Sequence, residues 1–417
     1  MTNRFVNLQY QPTKNDLITT FRMDPINEKL ADMLAAESST GTWTKITTDT
    51  KRSREKLKAR VYFIDKDNKI MKVAYNQHIF EKGNIPQMLS DFAGNIFGIK
   101  AVDNLRLLDI TLPKDLVKSF PGPTLGLEKI REKMGITKRP LVGTIVKPKV
   151  GLTPEQHAEY AYQAWLGGCD LVKDDENLTS QRFCIFEERI EKKLQLKEKA
   201  ETKTGEKKIY AANITASFDE MVKRADFVKE QGGKCLMIDI ITAGFSAVQS
   251  IAKRYPDMII YGHRAMHAAF TRLPTHGIAM LVIAKLARLA GVEHLHSGTA
   301  VGKMEGEAED IKEIDDFLRS EWYGLKKTIP VKSGGLHPGL VPKLMEILGN
   351  NVQITAGGGI AGHPSGVQAG AKAMRQAVNA YLEDTELETY AQKHEELKEA
   401  VDKWGTAAWK KEQTYSD

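Results

Sequence analysis

From residue 141 onward the chain repeats one texture: a short apolar run that ends in polar or glycine residues, then a longer stretch with helical spacing. The runs cover 141–149, 171–176, 209–215, 235–240, 258–265, 294–298, 330–335 and 352–358. Amphipathic segments such as 154–166, 218–231 and 277–289 lie between them. Eight strand–helix units over roughly 250 residues predict an α/β fold, a (β/α)8 TIM barrel. Near-continuous apolar strands suit it, because both faces of each strand are covered. A doubly wound open sheet gives the same alternation and is the structural alternative.

The first 125 residues read differently. Strand candidates at 60–65 and 69–75 flank the turn Lys66-Asp67-Asn68, and 105–112 reads as another strand. Residues 25–35 have helical spacing with a proline near the first turn. These predict a smaller α+β domain over 1–125, closed by the linker Phe120-Pro-Gly-Pro-Thr124, with the barrel and C-terminal helices over 126–417.

Polar groups recur at the predicted strand ends, where barrels carry their chemistry. Lys147 and Lys149 follow the first strand; Lys173, Asp175 and Glu176 end the second. His263 and Arg264 end the fifth, His296 the sixth, Ser333-Gly334-Gly335 the seventh and Gly357-Gly358-Gly359 the eighth. A lysine facing two carboxylates is costly unless a cation or a paired charge compensates, and the oxygen donors invite Mg²⁺. A solvated charge run is the bland alternative. The two glycine clusters suit a phosphate held by backbone N–H groups, and Arg264, His296 and Ser333 suit a second anion. His267, His276 and His294 read as packing residues. Residues 298–307, with Lys303 among glycines, have the composition of a lid. The segment 37–44, with Glu37, Thr42 and Trp43, reads as a polar loop.

Composition narrows the classes. Of 417 residues, 41% are hydrophobic and 27% charged, as in ordinary soluble globular chains. The net charge of +6 is scattered, which favours a small anionic substrate over nucleic acid. Three cysteines without C-x-x-C spacing predict reduced thiols. No signal peptide or membrane-length apolar run is found, so a cytoplasmic protein without a membrane partner is expected.

Taken together, Glu37-Ser-Ser-Thr-Gly-Thr-Trp-Thr44, Gly94-Asn-Ile-Phe-Gly98, Lys147-Pro-Lys149, the run 167–177, His263-Arg-Ala-Met-His267, His294-Leu-His-Ser-Gly298 and Gly302-Lys-Met-Glu-Gly306 resemble the large subunit of ribulose-1,5-bisphosphate carboxylase/oxygenase (Rubisco). The compact length is similar to the archaeal-type form III enzymes. The resemblance implies that Lys173 reacts with CO₂ to form a carbamate, which binds Mg²⁺ with Asp175 and Glu176. It implies carboxylation, with competing oxygenation, of ribulose 1,5-bisphosphate through an enediolate, giving two 3-phosphoglycerates from the carboxylation. The carbamate would take the C3 proton, and Lys147 would protonate the last carbanion. Lys149 would sit beside Lys147, His263 would assist proton transfer and Lys303 would stabilise the new carboxylate.

Arg264, His296 and Ser333 would hold one phosphate. Gly335, Gly357, Gly358, Thr42 and Trp43 would hold the other, with Gly334 in the same turn. Glu37 would pair with Lys303, and Asn95 would approach the metal. The first domain would reach into a partner's barrel, giving a homodimer or a ring of dimers without a small subunit, in ribose or nucleotide salvage or in carbon fixation. Tyr261-Gly262 departs from the family's frequent His-x pair and is assigned no chemistry. A Rubisco-like enolase or isomerase acting on a phosphorylated thio-sugar is the closest alternative. A non-catalytic protein keeping the fold is another, and it predicts loss of Lys173 or of a metal carboxylate.

Overall fold

A computed structural model describes residues 5–44, 46–301 and 308–407. Lys303, the expected lid lysine, lies outside these residues. The chain divides into two units. One takes the residues up to Gly122 with Met266–Gly291 and Glu321–Leu325; the other takes Pro123–Ala265, Val292–Ser320 and the chain from Lys326 onward.

The first unit is built on strands β1 (Asp16–Asp24), β2 (Arg60–Asp65), β3 (Ile70–Asn76) and β4 (Asn104–Thr111). β1 is central, antiparallel to both β3 and β4. Its Leu17, Thr19, Phe21 and Met23 are buried while the alternate side chains are half-exposed, a period of two that the sequence reading passed over. The predicted first helix spans Glu28–Glu37, where the Asn27 side chain accepts from the Leu30 N–H.

The second unit holds the barrel: β5 (Leu141–Ile145), β6 (Leu171–Lys173), β7 (Ile209–Asn213), β8 (Cys235–Asp239) and β9 (Ile259–His263), then β11 (His294–His296), β12 (Ile329–Ser333) and β13 (Gln353–Thr355). The strands are parallel and close on themselves through β9 and β11. Each predicted apolar run overlaps one of them, with β12 starting one residue before its run. The amino ends of the strands pack Leu141, Leu171, Ile209, Cys235, Ile259 and Ile329 with Leu125, Leu127, Ile130 and Ile136 beneath. Alternation carried up the strands then places Lys173, Asn213, Asp239, His263, His296 and Ser333 at the opposite, carboxyl end.

One expectation fails. The stretch 277–289 does not begin as helix: β10 (Gly277–Ile278) pairs in parallel with β4, and the helix runs Met280–Ala290. At Gly277 φ is +108°, outside the helical region, and a Cβ would stand 2.1 Å from the Phe270 carbonyl oxygen, so only glycine fits this backbone.

A buried carboxylate ties the linker to the barrel. Glu293, just before β11, accepts the N–H groups of Thr124 (2.7 Å), Leu125 (2.8 Å) and Gly126 (2.6 Å), at the start of the helix Gly126–Lys133. Burial raises its pKa, and these donors partly offset the rise. Glu293→Ala is expected to lower stability by about 3 kcal/mol, since buried N–H groups lose a charged acceptor. Chemical denaturation measures it; an unchanged midpoint would mean the linker finds other acceptors at no cost.

Candidate active site

At the carboxyl end of the barrel the strand-end charges meet. β6 ends at Lys173, which is buried, and the next residues turn so that Asp175 and Glu176 follow it. The Lys173 Nζ donates to Glu176 Oε2 at 3.3 Å and to the Asp174 carbonyl at 2.9 Å. Lys147 Nζ donates to Asp175 Oδ2 at 2.8 Å. Lys149 Nζ, largely exposed, stands 4.0 Å from Glu176 Oε1. From β9, His263 Nε2 approaches Glu176 Oε2 at 3.5 Å. Burial pushes the Glu176 carboxyl up, but Lys173, His263 and Lys149 outweigh it and hold the group at about 2. These predicted residues therefore form two charge groups on neighbouring residues, Lys147 with Asp175, and Lys173, Lys149 and His263 with Glu176.

The turn is braced from behind. Asp174, flanked by Lys173 and Asp175, packs away from them, where its carboxylate takes Lys193 Nζ (3.1 Å), the Tyr210 hydroxyl (2.9 Å), the Asn213 N–H (3.0 Å) and Arg189 Nε (3.4 Å). Burial opposes its charge, yet Lys193 and Arg189 hold its pKa well below the usual carboxylate range. Burial in turn pulls Lys193 down to about 8, against the pull of Asp174. Asn213, the last residue of β7, donates its side-chain amide to the carbonyls of Asp175 and Glu176 at 3.3 and 3.4 Å.

The second anion group is also assembled. His296 Nδ1 lies 2.8 Å from Ser333 Oγ and its Nε2 lies 2.9 Å from the Tyr261 hydroxyl. Burial, then the charges of His263, Lys173 and Arg264, press the His296 pKa well below its ordinary value. The ring is thus neutral, with one nitrogen donating and the other accepting. Gln353 continues this chain to Tyr261, Thr355 and His294. Arg264 is half-buried beside Gly298: a methyl group built on that glycine would lie 3.0 Å from Arg264 Nη2. Gly334 and Gly335 take positive φ values, 108° and 74°, which open their backbone as a turn needs. Gly357 lies against the Lys147 side chain, and Gly358 opens the short helix Gly358–Ala361.

In the first unit, Asn95 Nδ2 donates to Glu37 Oε1 at 3.4 Å, and both side chains are exposed. Thr42 and Trp43 are exposed in a loop, Trp43 by 91%.

Sequence reasoning missed Asp239, whose Oδ1 lies 3.1 Å from His263 Nδ1 and sets which nitrogen faces Glu176. It also missed Asn213, and gave Tyr261 no role although its hydroxyl bonds His296. Asp239 and Asn213 are the last residues of β8 and β7, so the strand-end rule already applied to Lys173 would have found both. His294, read as a packing residue, is buried and stacked on Tyr261. The three cysteines are free and buried. Among the described residues no helix is long and apolar enough to cross a membrane.

Two family models match the chain: "Ribulose bisphosphate carboxylase large chain, catalytic domain" over residues 126–404, and the corresponding N-terminal domain over 4–116. The ribulose bisphosphate carboxylase of Methanocaldococcus jannaschii is 48% identical over 96% of this chain and 99% of its own length. That of Pyrococcus furiosus is 48% identical over 96% and 97%. Among solved structures, octameric Rubisco from Pyrococcus horikoshii, in complex with sulfate, superposes with a TM-score of 0.93 at 45% identity, covering 98% of this chain and 97% of that one. The dimeric archaeal Rubisco from Hyperthermus butylicus gives 0.91 at 42% identity, covering 97% and 99%.

Proposed function

The chain belongs to the ribulose bisphosphate carboxylase large-chain family, and from that premise we propose how its residues divide the work. The activity is that of a lyase, the carboxylation of ribulose 1,5-bisphosphate. The observation that carries the assignment of the site is the meeting of two charge groups on adjacent residues, Lys147 with Asp175, and Lys173, Lys149 and His263 with Glu176.

Lys173, Asp175 and Glu176 would hold Mg²⁺. The donor set supports this in a particular way. Among the described residues no three His, Cys, Asp or Glu side chains gather into a metal-holding group. Asp175 and Glu176 supply two oxygen donors, and a carbamate on Lys173 supplies a third while removing the ammonium charge. Held there, Mg²⁺ would supply Lewis-acid polarisation of the substrate's C2 carbonyl, the carbon to which CO₂ adds.

The other residues bind, orient and move protons. Lys147 Nζ, aimed by Asp175, donates a proton to the final carbanion, with Lys149 adding positive charge alongside. His263 relays protons at Nε2, its ring fixed through Nδ1 by Asp239. Arg264, His296 and Ser333 take one phosphate; the turns at Gly334, Gly335, Gly357 and Gly358 take the other. Lys303 stabilises the new carboxylate.

Glu37, Asn95, Thr42 and Trp43 complete the site of a second copy, in a homodimer or ring of dimers. The dimeric and octameric relatives and the exposure of Trp43 support this. Oxygenation competes at the same site, in a cytoplasmic salvage of ribose or nucleotides.

The test is direct. After preincubation with Mg²⁺ and CO₂, ribulose 1,5-bisphosphate and labelled CO₂ are expected to give labelled 3-phosphoglycerate. No fixed label, with turnover of a thio-ribulose phosphate instead, would favour the enolase reading.

A further inference from the structure

We propose that Lys332 is a positioning residue for substrate binding: by neutralising Asp315 it leaves Arg264 free to take an anionic group of the substrate. The inference rests on the reading of Arg264, His296 and Ser333 as an anion site.

Alternation along β12 turns Ser333 toward His296 and Lys332 to the opposite face, under the helix Ala308–Arg319. There Lys332, Asp315 and Ser297 are all buried. Lys332 Nζ donates to Asp315 Oδ1 at 2.5 Å and to Ser297 Oγ at 2.6 Å, and Ser297 Oγ donates to the same Asp315 oxygen at 2.8 Å. The two strands are therefore tied on both faces at one level: His296 to Ser333 on the site face, Ser297 to Lys332 behind it.

The arrangement leaves Asp315 with capacity to spare. Its Oδ2 is buried and, among the described residues, has no hydrogen-bond partner. A second cation lies nearby. The methyl built on Gly298 would stand 3.0 Å from Arg264 Nη2 and 3.5 Å from Ile311 Cδ1, and Ile311 is one helical turn before Asp315. Burial pulls Arg264 down to about 10, and the Asp315 charge is what opposes that pull. One buried carboxylate thus has two candidate counter-ions. With Lys332 seated on it, Arg264 keeps its donors for a ligand. Without Lys332, Asp315 is a buried, half-satisfied anion and takes Arg264 as its partner.

The measurement is the steady-state KM for ribulose 1,5-bisphosphate against kcat, on the full chain preincubated with Mg²⁺ and CO₂. Arg264→Ala is the reference and is expected to raise KM. Lys332→Met is expected to raise KM on the order of tenfold with kcat within about twofold, the pattern of lost ground-state binding. Lys332→Gln removes the charge but keeps a donor for Asp315; it carries the same expectation should the methionine variant not fold. Adding Asp315→Asn to Lys332→Gln removes the competing anion and is expected to bring KM back to within about twofold of wild type. A lowered unfolding midpoint with unchanged KM would mean that Lys332 only packs, and would overturn the inference. So would a double variant whose KM stays high. If Arg264→Ala itself leaves KM unchanged, the anion-site reading falls, and this inference with it.

Discussion

Lys173→Ala is expected to lower labelled CO₂ incorporation by at least about 10³-fold, because removing the third oxygen donor forfeits a Lewis-acid contribution of several kcal/mol. Bulk destabilisation does not account for such a loss. Lys173 is buried and its removal frees the Asp174 carbonyl as well as Glu176, but Glu176 is only partly buried and keeps His263 and Lys149 nearby. Circular dichroism should therefore show a folded barrel. Lys173→Arg sharpens the comparison: arginine retains a cation beside Glu176 yet forms no carbamate. It is expected to be as inactive as alanine. Carboxylation surviving either change would remove Lys173 from the metal site and return the charge groups to a structural role.

Asp174→Asn has the largest expected effect on stability. Two buried cations, Lys193 and Arg189, share this one carboxylate, and breaking such a cluster from one side costs about 3–5 kcal/mol. The sign of the pH dependence follows from Lys193. Its pKa in the folded protein lies at about 8, below that of an unfolded lysine, so the unfolded chain holds more protons between those values. Its contribution to stability therefore rises with pH across that window. Without Asp174 to oppose burial, Lys193 gives up its proton more readily. The deficit of the variant is then expected to shrink between pH 7 and pH 9. Thermal midpoints of both proteins at the two pH values measure this; an equal deficit at both would place the strain on Arg189 alone.

How much of this was legible in the sequence depended on what each residue's neighbours are. The barrel strands stood out because both their faces are covered, which leaves unbroken apolar runs such as Cys-Leu-Met-Ile at 235–238. β1 was missed because its buried positions include Thr19 and alternate with Thr20 and Arg22, so no run forms. β10 was read as helix because its pairing with β4 joins residues far apart in the chain, beyond the reach of any local window. Within the site, Lys173, Asp175 and Glu176 stood out because their charges end a predicted strand; charge alone fits a solvated run equally well. Asp174 reads identically in the sequence, yet it faces Lys193, Arg189 and Tyr210, and only the fold reveals that difference. Asp315 and Lys332 carried no motif at all, and their pairing joins a helix to a strand.

The division of the chain has a consequence for its synthesis. The backbone passes between the two units five times, after Gly122, Ala265, Gly291, Ser320 and Leu325. The first unit therefore lacks β10 and the Met280–Ala290 helix until five barrel strands have left the ribosome. The usual order, in which an N-terminal domain matures before the next is made, can complete only the part of this unit that ends at Gly122. Until β10 is made, the sheet presents an unpaired β4 edge, the kind of edge that invites pairing with another chain.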